Sequence, residues 1–528
     1  MTALTYNFNY APNVRLEHCY HKDMGNTHRA TLLACLNVLV LNLFGHVTHR
    51  WCNFTLKMLH NILQEAYGGD GRKLNGREIK ILENFPHDLR TVRKAFDIEA
   101  KTTTYAACPK CNCTYAPLME GDLAIYPSNC TWREFPTSEA CAESLVESRI
   151  VEGQSMRYPK RPFVVQNFDA FVANLLSRPG VEEALDNGTV LLNQEELNDI
   201  KDGAGMQNLR GPDGQPFLDS LKRSELRLVW SLSVDWFNPH TNKISGKHVS
   251  TGSIAMACLN LPPSLRYKPE FMYLNAVMPV EPTLDQTNHY LEPVVTQLER
   301  SYTKGVKYNR TYQHREGRRT RSAIAVFVND LPGGKKVAQM ASYQQKSHFC
   351  SLCTLHKDRI NEIDPECWVP RDLIALRRAA YAWKNATSKA DRDAIFAQFG
   401  VRWSEFWRLS YYNPIRMLII DGMHNLFEGL VQFHCHSVLA INESEVETED
   451  AVPTAKELDN AKLLLNSASS ASSKGRIKLH VLKALCRERG LSYERPGLRL
   501  TKKHMLHLLE TSVRLLLSVE QLNTYPNV

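Results

Sequence analysis

Leu226 to Asp235 reads LRLVWSLSVD, and Ser322 to Asp330 reads SAIAVFVND. Each is an apolar run that stops on an aspartate and is followed by turn residues, Asn238-Pro239 after the first and Leu331-Pro332 after the second. This pattern predicts two strands that each end on an acid. Between them, Lys247 to Leu261 and Phe271 to Met278 read as further strands, and Thr283 to Tyr302 has apolar residues at helical spacing. The order is β, β, β, α, β.

That order predicts an α/β fold built on a ribonuclease H-like mixed sheet, with the first and fourth strands side by side. Asp235 and Asp330 would then converge. Hard divalent cations take oxygen ligands, so acids on adjacent strands can hold Mg²⁺ ions that activate a nucleophile and stabilise a leaving oxygen. Phosphodiester cleavage and strand transfer need such a site. The plainer role of a strand-end aspartate is to cap the following turn or helix.

Around this centre lies a chain of 528 residues, 43% hydrophobic and 23% charged, which excludes wholesale disorder and collagen-like repeats. Its most apolar stretch, Ala30 to Gly45, holds two Asn and is shorter than the roughly 20 residues that span a bilayer, so it predicts a buried helix and no membrane segment. Met1 to Tyr20 lacks a basic region followed by an apolar run, so an intracellular location is expected.

The net charge of +8 is unevenly placed. Lys474 to Arg514 holds 11 Lys or Arg against three Glu, and Arg300 to Arg321 holds eight against the single Glu316. Both runs suggest contact with a polyanion. The expected DNA contacts are Arg315, Arg318, Arg319 and Arg321 in one, and Lys474, Arg476, Lys478, Lys483, Arg487, Lys502 and Lys503 in the other. Acidic ESEVETED and the Ser/Ala tract SASSASS bracket a short helical segment and mark 443–473 as a linker. The remaining divisions are an N-terminal helical region (1–104), a zinc-ribbon-like region (105–145), a connecting region (146–220), the sheet core (221–344), a helical insertion (345–442) and a basic helical module (474–528), in which LKALCRERGLS is similar to the SAP-type DNA-binding motif.

Fourteen Cys without a disulfide framework point to metal ligation. Cys108 and Cys111 form CPKC, a spacing that aims two thiolates at one tetrahedral ion, and Cys130 and Cys141 can complete the set with Cys113 to spare. The loop-rich stretch around them would need zinc to fold. A second pair, Cys350 and Cys353 in HFCSLC, has the same spacing; His424 is one partner for it, with His434, His348, His356 and Cys367 also available. Trp383, Trp403, Trp407, Tyr411 and Tyr412 could stack on bases, but core packing is favoured.

In order along the chain, FPHDLRTVRKAF, YAACPKC, LSVDWFNPHTNKISGKHVSTGSIAMACLNLPPSLRYKPEFMYL, VNDLPGGKKVAQM, HFCSLC, RWSEFWRL, IIDGMHNLFEGLVQFH and ALCRERGL resemble the CACTA (En/Spm-type) DNA transposases, most closely their fungal Plavaka-type members. The resemblance implies a nuclear DDE-type transposase that uses Mg²⁺ or Mn²⁺, with structural Zn²⁺, to cut and transfer double-stranded DNA at terminal inverted repeats. It also implies self-association. Asp235 and Asp330 would be the first two acids. The family's last acid lies on a helix beyond an insertion, and this chain is expected to be C-terminally truncated relative to a full-length member; Asp421, in the family's DxxH motif, and Glu428 are the nearest acids to supply it. The alternative is a non-catalytic zinc- and DNA-binding protein derived from a transposase, which the absence of a third converging acid would favour.

Overall fold

The computed structural model describes residues 13–14, 27–121, 123–151, 153–188, 197–218, 225–238, 250–439, 453–466, 474, 477–491, 494–495, 498–499, 502 and 504–512. They fall into two units, Met1–Asn425 and Leu426–Val528. The first unit opens with helices α1 (Arg29–Leu43), α2 (His49–Gly68), α3 (Gly76–Glu83) and α4 (Leu89–Ala95), then strands β1 (Thr102–Ala107), β2 (Thr114–Tyr115) and β3 (Pro162–Gln166). Helices α5 (Phe168–Leu176) and α6 (Val181–Asn187) precede β4 (Glu225–Phe237), β5 (Thr251–Cys258) and β6 (Met272–Met278). There follow α7 (Thr287–Thr303), β7 (Val306–Tyr308), β8 (Arg318–Asn329), α8 (Leu331–Ala338), α9 (Leu373–Asn385), α10 (Lys389–Phe399) and β9 (Leu418–Ile420).

The strands make one curled mixed sheet in the order β7-β8-β4-β5-β6-β3-β1-β2, with Asn13–Val14 beside β7 and β9 beside the end of β8. Strands β4, β5 and β6 are antiparallel neighbours. Strand β8 runs parallel to β4, and β9 parallel to β8. The expected β, β, β, α, β order is thus present, within a wider sheet: β1, β2 and β3 come from the stretches expected as separate zinc-ribbon and connecting regions. Backbone pairing of β1 to β3 makes those stretches part of the sheet.

Strand β4 is buried on both faces, which is why its sequence is continuously apolar instead of alternating. Leu228, Trp230, Leu232 and Val234 enter the main core with residues of α5 and α7. Val229 points the other way, into a cluster with Ala323, Ala325, Val326, Met206 and Phe217. Trp383, Trp403, Trp407 and Tyr412 are buried and Tyr411 packs against them, so core packing accounts for these aromatics.

Helix α1 departs from its expected burial. Ala34, Cys35, Val38 and Leu39 pack with α2 and α4, whereas Leu33, Leu36, Val40 and Leu43 are exposed, because the described chain packs against one side only.

Three of the eight cations of the Arg300 to Arg321 run, Arg300, Arg318 and Arg321, form ion pairs inside this unit. Arg318, buried, meets Glu182 at 3.2 Å and Asp186 at 2.6 Å, and Arg321 meets Glu225 at 2.9 Å. Two of the four expected DNA contacts in the run therefore hold the fold together, and Arg315 and Arg319 are its exposed members. Arg318→Met is expected to lower stability by about 3 kcal/mol, since it leaves the fully buried Glu182 carboxylate without its main counter-charge; thermal denaturation of the two proteins side by side measures it.

In the second unit, α11 (Ala455–Asn466) lies inside the stretch expected as a linker. Its Ala461 and Leu465 share a core with Val481, Leu482 and Leu485 of α12 (Leu479–Glu488) and with Met505 and Leu509. An apolar stripe on α11 makes it part of the helical module. Lys474 and Lys478, two of the expected DNA contacts, pair with Glu510 and Glu457 at 3.0 Å each. Arg476 and Lys503 lie outside the described residues. Among those described, no helix is long and apolar enough to cross a membrane.

Candidate functional site

Three parallel strands, β4, β8 and β9, lie side by side; β8 and β9 stop just before Asp330 and Asp421, whereas β4 does not end at Asp235 as expected but continues, paired with β5, to Phe237. The β4–β8 register pairs Leu232 with Phe327, and the β9–β8 register pairs Ile420 with Asn329. Continued along the strands, both registers put Asp235, Asp330 and Asp421 in one row. Two bonds hold the row: Val234 N–H donates to the Asn329 side chain at 2.7 Å, and Asp421 N–H donates to the Asn329 carbonyl at 2.7 Å. With strands about 4.8 Å apart, Asp330 stands between the other two.

The three acids also share a face. Asp235 alternates in phase with Val229, and Asp330 with Val326 and Val328, all of which belong to the second apolar cluster. Asp421 is in phase with Ile419, which lines a cavity of about 420 Å³ together with Ala325 and Val326 on that side. The polar row is therefore the continuation of one sheet face beyond its apolar cover.

Each carboxylate has its own local bonds. Asp330 caps α8 by accepting the Gly333 N–H at 2.7 Å, and a Cβ on Gly333 would come within 2.4 Å of that oxygen, so LPGG needs glycine there. Asp235 accepts the Trp236 N–H at 2.8 Å. Asp421 accepts from Met423 N–H and pairs with the His424 imidazole, which holds its carboxyl below the usual range. As they stand the three carboxylates form no converged group: among the described residues the only cluster of potential ligands is one of cysteines. The donors suit a hard cation in kind, and side-chain rotation would have to bring them together. Lys336 lies at the rim, 4.5 Å from the Trp236 ring centroid and 2.9 Å from Glu281. Glu428 lies in the second unit.

The cysteine cluster is Cys108, Cys111, Cys130 and Cys141, with all four sulfurs within 4.8 Å of one another. Cys108 and Cys141 are 3.8 Å apart, Cys111 and Cys130 3.5 Å. Four sulfurs each about 2.3 Å from a central zinc would be spaced by about 3.8 Å, so the geometry fits a tetrahedral ion such as zinc. Asn112 at φ +60° turns the CPKC loop, and its side chain accepts from Arg161 at 2.7 Å and Tyr290 at 3.0 Å. Tyr115 Oη accepts the N–H groups of Thr131 and Trp132. Burial pushes the thiols of Cys111 and Cys130 up, and that of the neighbouring Cys113, outside the cluster, to about 12; bound cation charge would reverse this for the ligands.

The cluster docks on α7 at a cavity of about 530 Å³ lined by Trp132, His289 and Trp403. Burial pushes the His289 imidazole down to about 4, against a smaller upward pull from Glu405. Below its ordinary value the folded form resists protonation, so the stability it contributes rises with pH between about 4 and 6.5 and is lost as the pH falls. Replacement by Phe should remove up to about 3 kcal/mol of that acid sensitivity, read as the difference between the pH–stability profiles of wild type and His289→Phe.

Cys350 and Cys353 are hydrogen-bonded to each other, but His424 does not join them in a ligand cluster, nor does any other third ligand among the described residues. His424 is held instead by Asp421, three residues away. Beside the pair, Lys335 is buried with no hydrogen-bond partner for its Nζ among the described residues, a feature that no local sequence signal announced.

Residues 217–371 match the family model described as Transposase family tnp2. The match contains Asp235 and Asp330 and ends before Asp421. The match supports a transposase-derived function for this segment, and a family of that kind suggests DNA binding. The chain has no match among curated proteins.

Proposed function

We propose that the chain is a DDE-type DNA transposase of the CACTA (En/Spm) group, close to its fungal Plavaka-type members, with a ribonuclease H-like core and a zinc-ribbon-like module. The observation that carries the reading is the row of Asp235, near the end of β4, with Asp330 and Asp421, directly after β8 and β9, the first two inside the transposase match. Strand order β6-β5-β4-β8-β9, with the last two parallel to β4, supports the core assignment.

In this reading the three carboxylates hold Mg²⁺ or Mn²⁺. Such an ion supplies a Lewis acid and a bound water of lowered pKa. Asp330, held by the α8 N-terminus, is the fixed member. The His424 imidazole beside Asp421 holds that carboxyl below the usual range and so favours its ionised form. Cys108, Cys111, Cys130 and Cys141 hold a structural zinc. Nuclear location follows from the substrate.

Incubating the purified chain with Mn²⁺ and supercoiled plasmid carrying the element's terminal inverted repeats should give nicks at the repeat ends. DNA binding without nicking would favour the non-catalytic alternative.

A further inference from the structure

The turn that carries Cys350 and Cys353 is held by the chain itself. Arg371 pins it twice, with its backbone N–H donating to the Leu352 carbonyl at 3.0 Å and its Nε to the Cys350 carbonyl at 2.8 Å. Thr354 N–H donates to the Val369 carbonyl at 2.9 Å, and Cys353 forms a backbone bridge with Pro370. Cys350 is half-buried, whereas Cys353 is buried.

Two buried cations stand beside this pair. Lys335 of α8 and Arg371 are 3% and 8% exposed, and among the described residues Lys335 Nζ and Arg371 Nη2 have no hydrogen-bond partner. The ionisable groups close enough to act on Lys335 are Arg371 and Cys350, and those acting on Arg371 are Cys350 and Cys353. Buried charge needs a counter-charge, and with no carboxylate among these groups a thiolate supplies it. A divalent ion would remove that benefit, because two thiolates on one zinc leave no net negative charge for the two cations to face.

The two sulfurs are unequal. Leu352 N–H donates to the Cys350 sulfur at 3.4 Å. Burial pushes the Cys350 thiol up, but the N–H groups of Cys353 and Leu352, the Cys353 thiol and the Lys335 charge outweigh it and hold the thiol below its ordinary value. Burial pushes the Cys353 thiol up. An accessible thiolate two residues removed from a protonated partner, beside a cation, is the arrangement of a reactive dithiol.

We propose that Cys350 and Cys353 are a redox-modification site that a hydroperoxide closes to a disulfide. The Cys350 thiolate attacks one peroxide oxygen and breaks the O–O bond, giving a sulfenic acid and releasing the other oxygen as hydroxide or alkoxide. The Cys353 sulfur then displaces hydroxide from the Cys350 sulfur, and its proton leaves with that hydroxide as water. The two sulfurs give up two electrons and the peroxide takes them.

Brief treatment of the reduced full chain with hydrogen peroxide, then alkylation, digestion and mass spectrometry, should show the Cys350–Cys353 peptide lighter by two hydrogens and closed to alkylation until dithiothreitol is added. Cys353→Ser should stop at the Cys350 sulfenic acid, which a 1,3-dione captures. Lys335→Met, with unchanged circular dichroism, should slow Cys350 oxidation by at least about 10-fold, the effect of about one pKa unit on the thiolate population. If that variant does not fold, the Cys353→Ser trap decides alone. A pair that stays reduced under peroxide would overturn the proposal, and so would a second zinc bound to it. Unchanged oxidation in folded Lys335→Met would overturn it too, by showing that the buried cation does not set up the thiolate.

Discussion

Stripping metal from the purified chain with a strong chelator is expected to unfold residues 105–145 and to release one zinc from the cluster of Cys108, Cys111, Cys130 and Cys141. The local structure has little else to stand on. It consists of strands of two or three residues, such as β2 and Leu118–Glu120, and its apolar cluster is mostly the cysteines themselves with Leu145 and Trp132. A structural zinc contributes on the order of 10 kcal/mol to such a site. Three of the four thiols are buried, and burial pushes those of Cys111 and Cys130 up, so without a cation the cluster gives the module little to fold on. Cys111→Ser should show the same loss without chelator. Hydrogen exchange across 105–145 and metal analysis together check this, and a metal-free chain with full protection would refute it. The damage should spread to β1, whose pairing with β3 ties the module to the sheet.

Asp235→Asn, Asp330→Asn and Asp421→Asn should each lower Mn²⁺-dependent nicking by about 10³-fold or more, equivalent to ~4 kcal/mol of transition-state stabilisation, with DNA binding and folding retained. Asparagine is the informative replacement. It caps a helix as well as aspartate does, so Asp330→Asn keeps the α8 N-cap while removing the ligand charge. Nicking by an Asp235→Asn, Asp330→Asn double variant would show that these acids are structural. Wild-type activity in Asp421→Asn alone would move the third role to another acid, and Glu428→Gln would then be the variant to assay.

Much of this centre is legible in single stretches. LSVD and FVND each announce a strand that carries an acid at or near its end, because a buried strand must be apolar throughout and its polar end marks where the cover stops. CPKC with two later cysteines announces a metal site, because thiolates at that spacing can share one ion. These readings need no partner segment.

Charge was less legible. HREGRRTRS looks like a polyanion surface, yet Arg318 and Arg321 end in ion pairs with Glu182, Asp186 and Glu225, residues about 100 or more positions away for which the run itself carries no sign. The tract expected as a linker contains a helix whose stripe is buried only once α12 is in place.

By itself, the sequence determined four central strand segments, an aspartate at or near the end of two of them, and four cysteines with the spacing for one ion. Those properties are local, set by apolar runs, turn residues and ligand spacing. Only the tertiary structure decided that β9 pairs with β8 in the register that puts Asp421 level with Asp330, that no third ligand among the described residues joins the second cysteine pair, and that among the described residues α1 packs on one face. Register, partnership and burial depend on what the rest of the chain brings alongside. Backbone hydrogen bonds and apolar contacts between distant segments settle them, and no short stretch of sequence specifies its own neighbours.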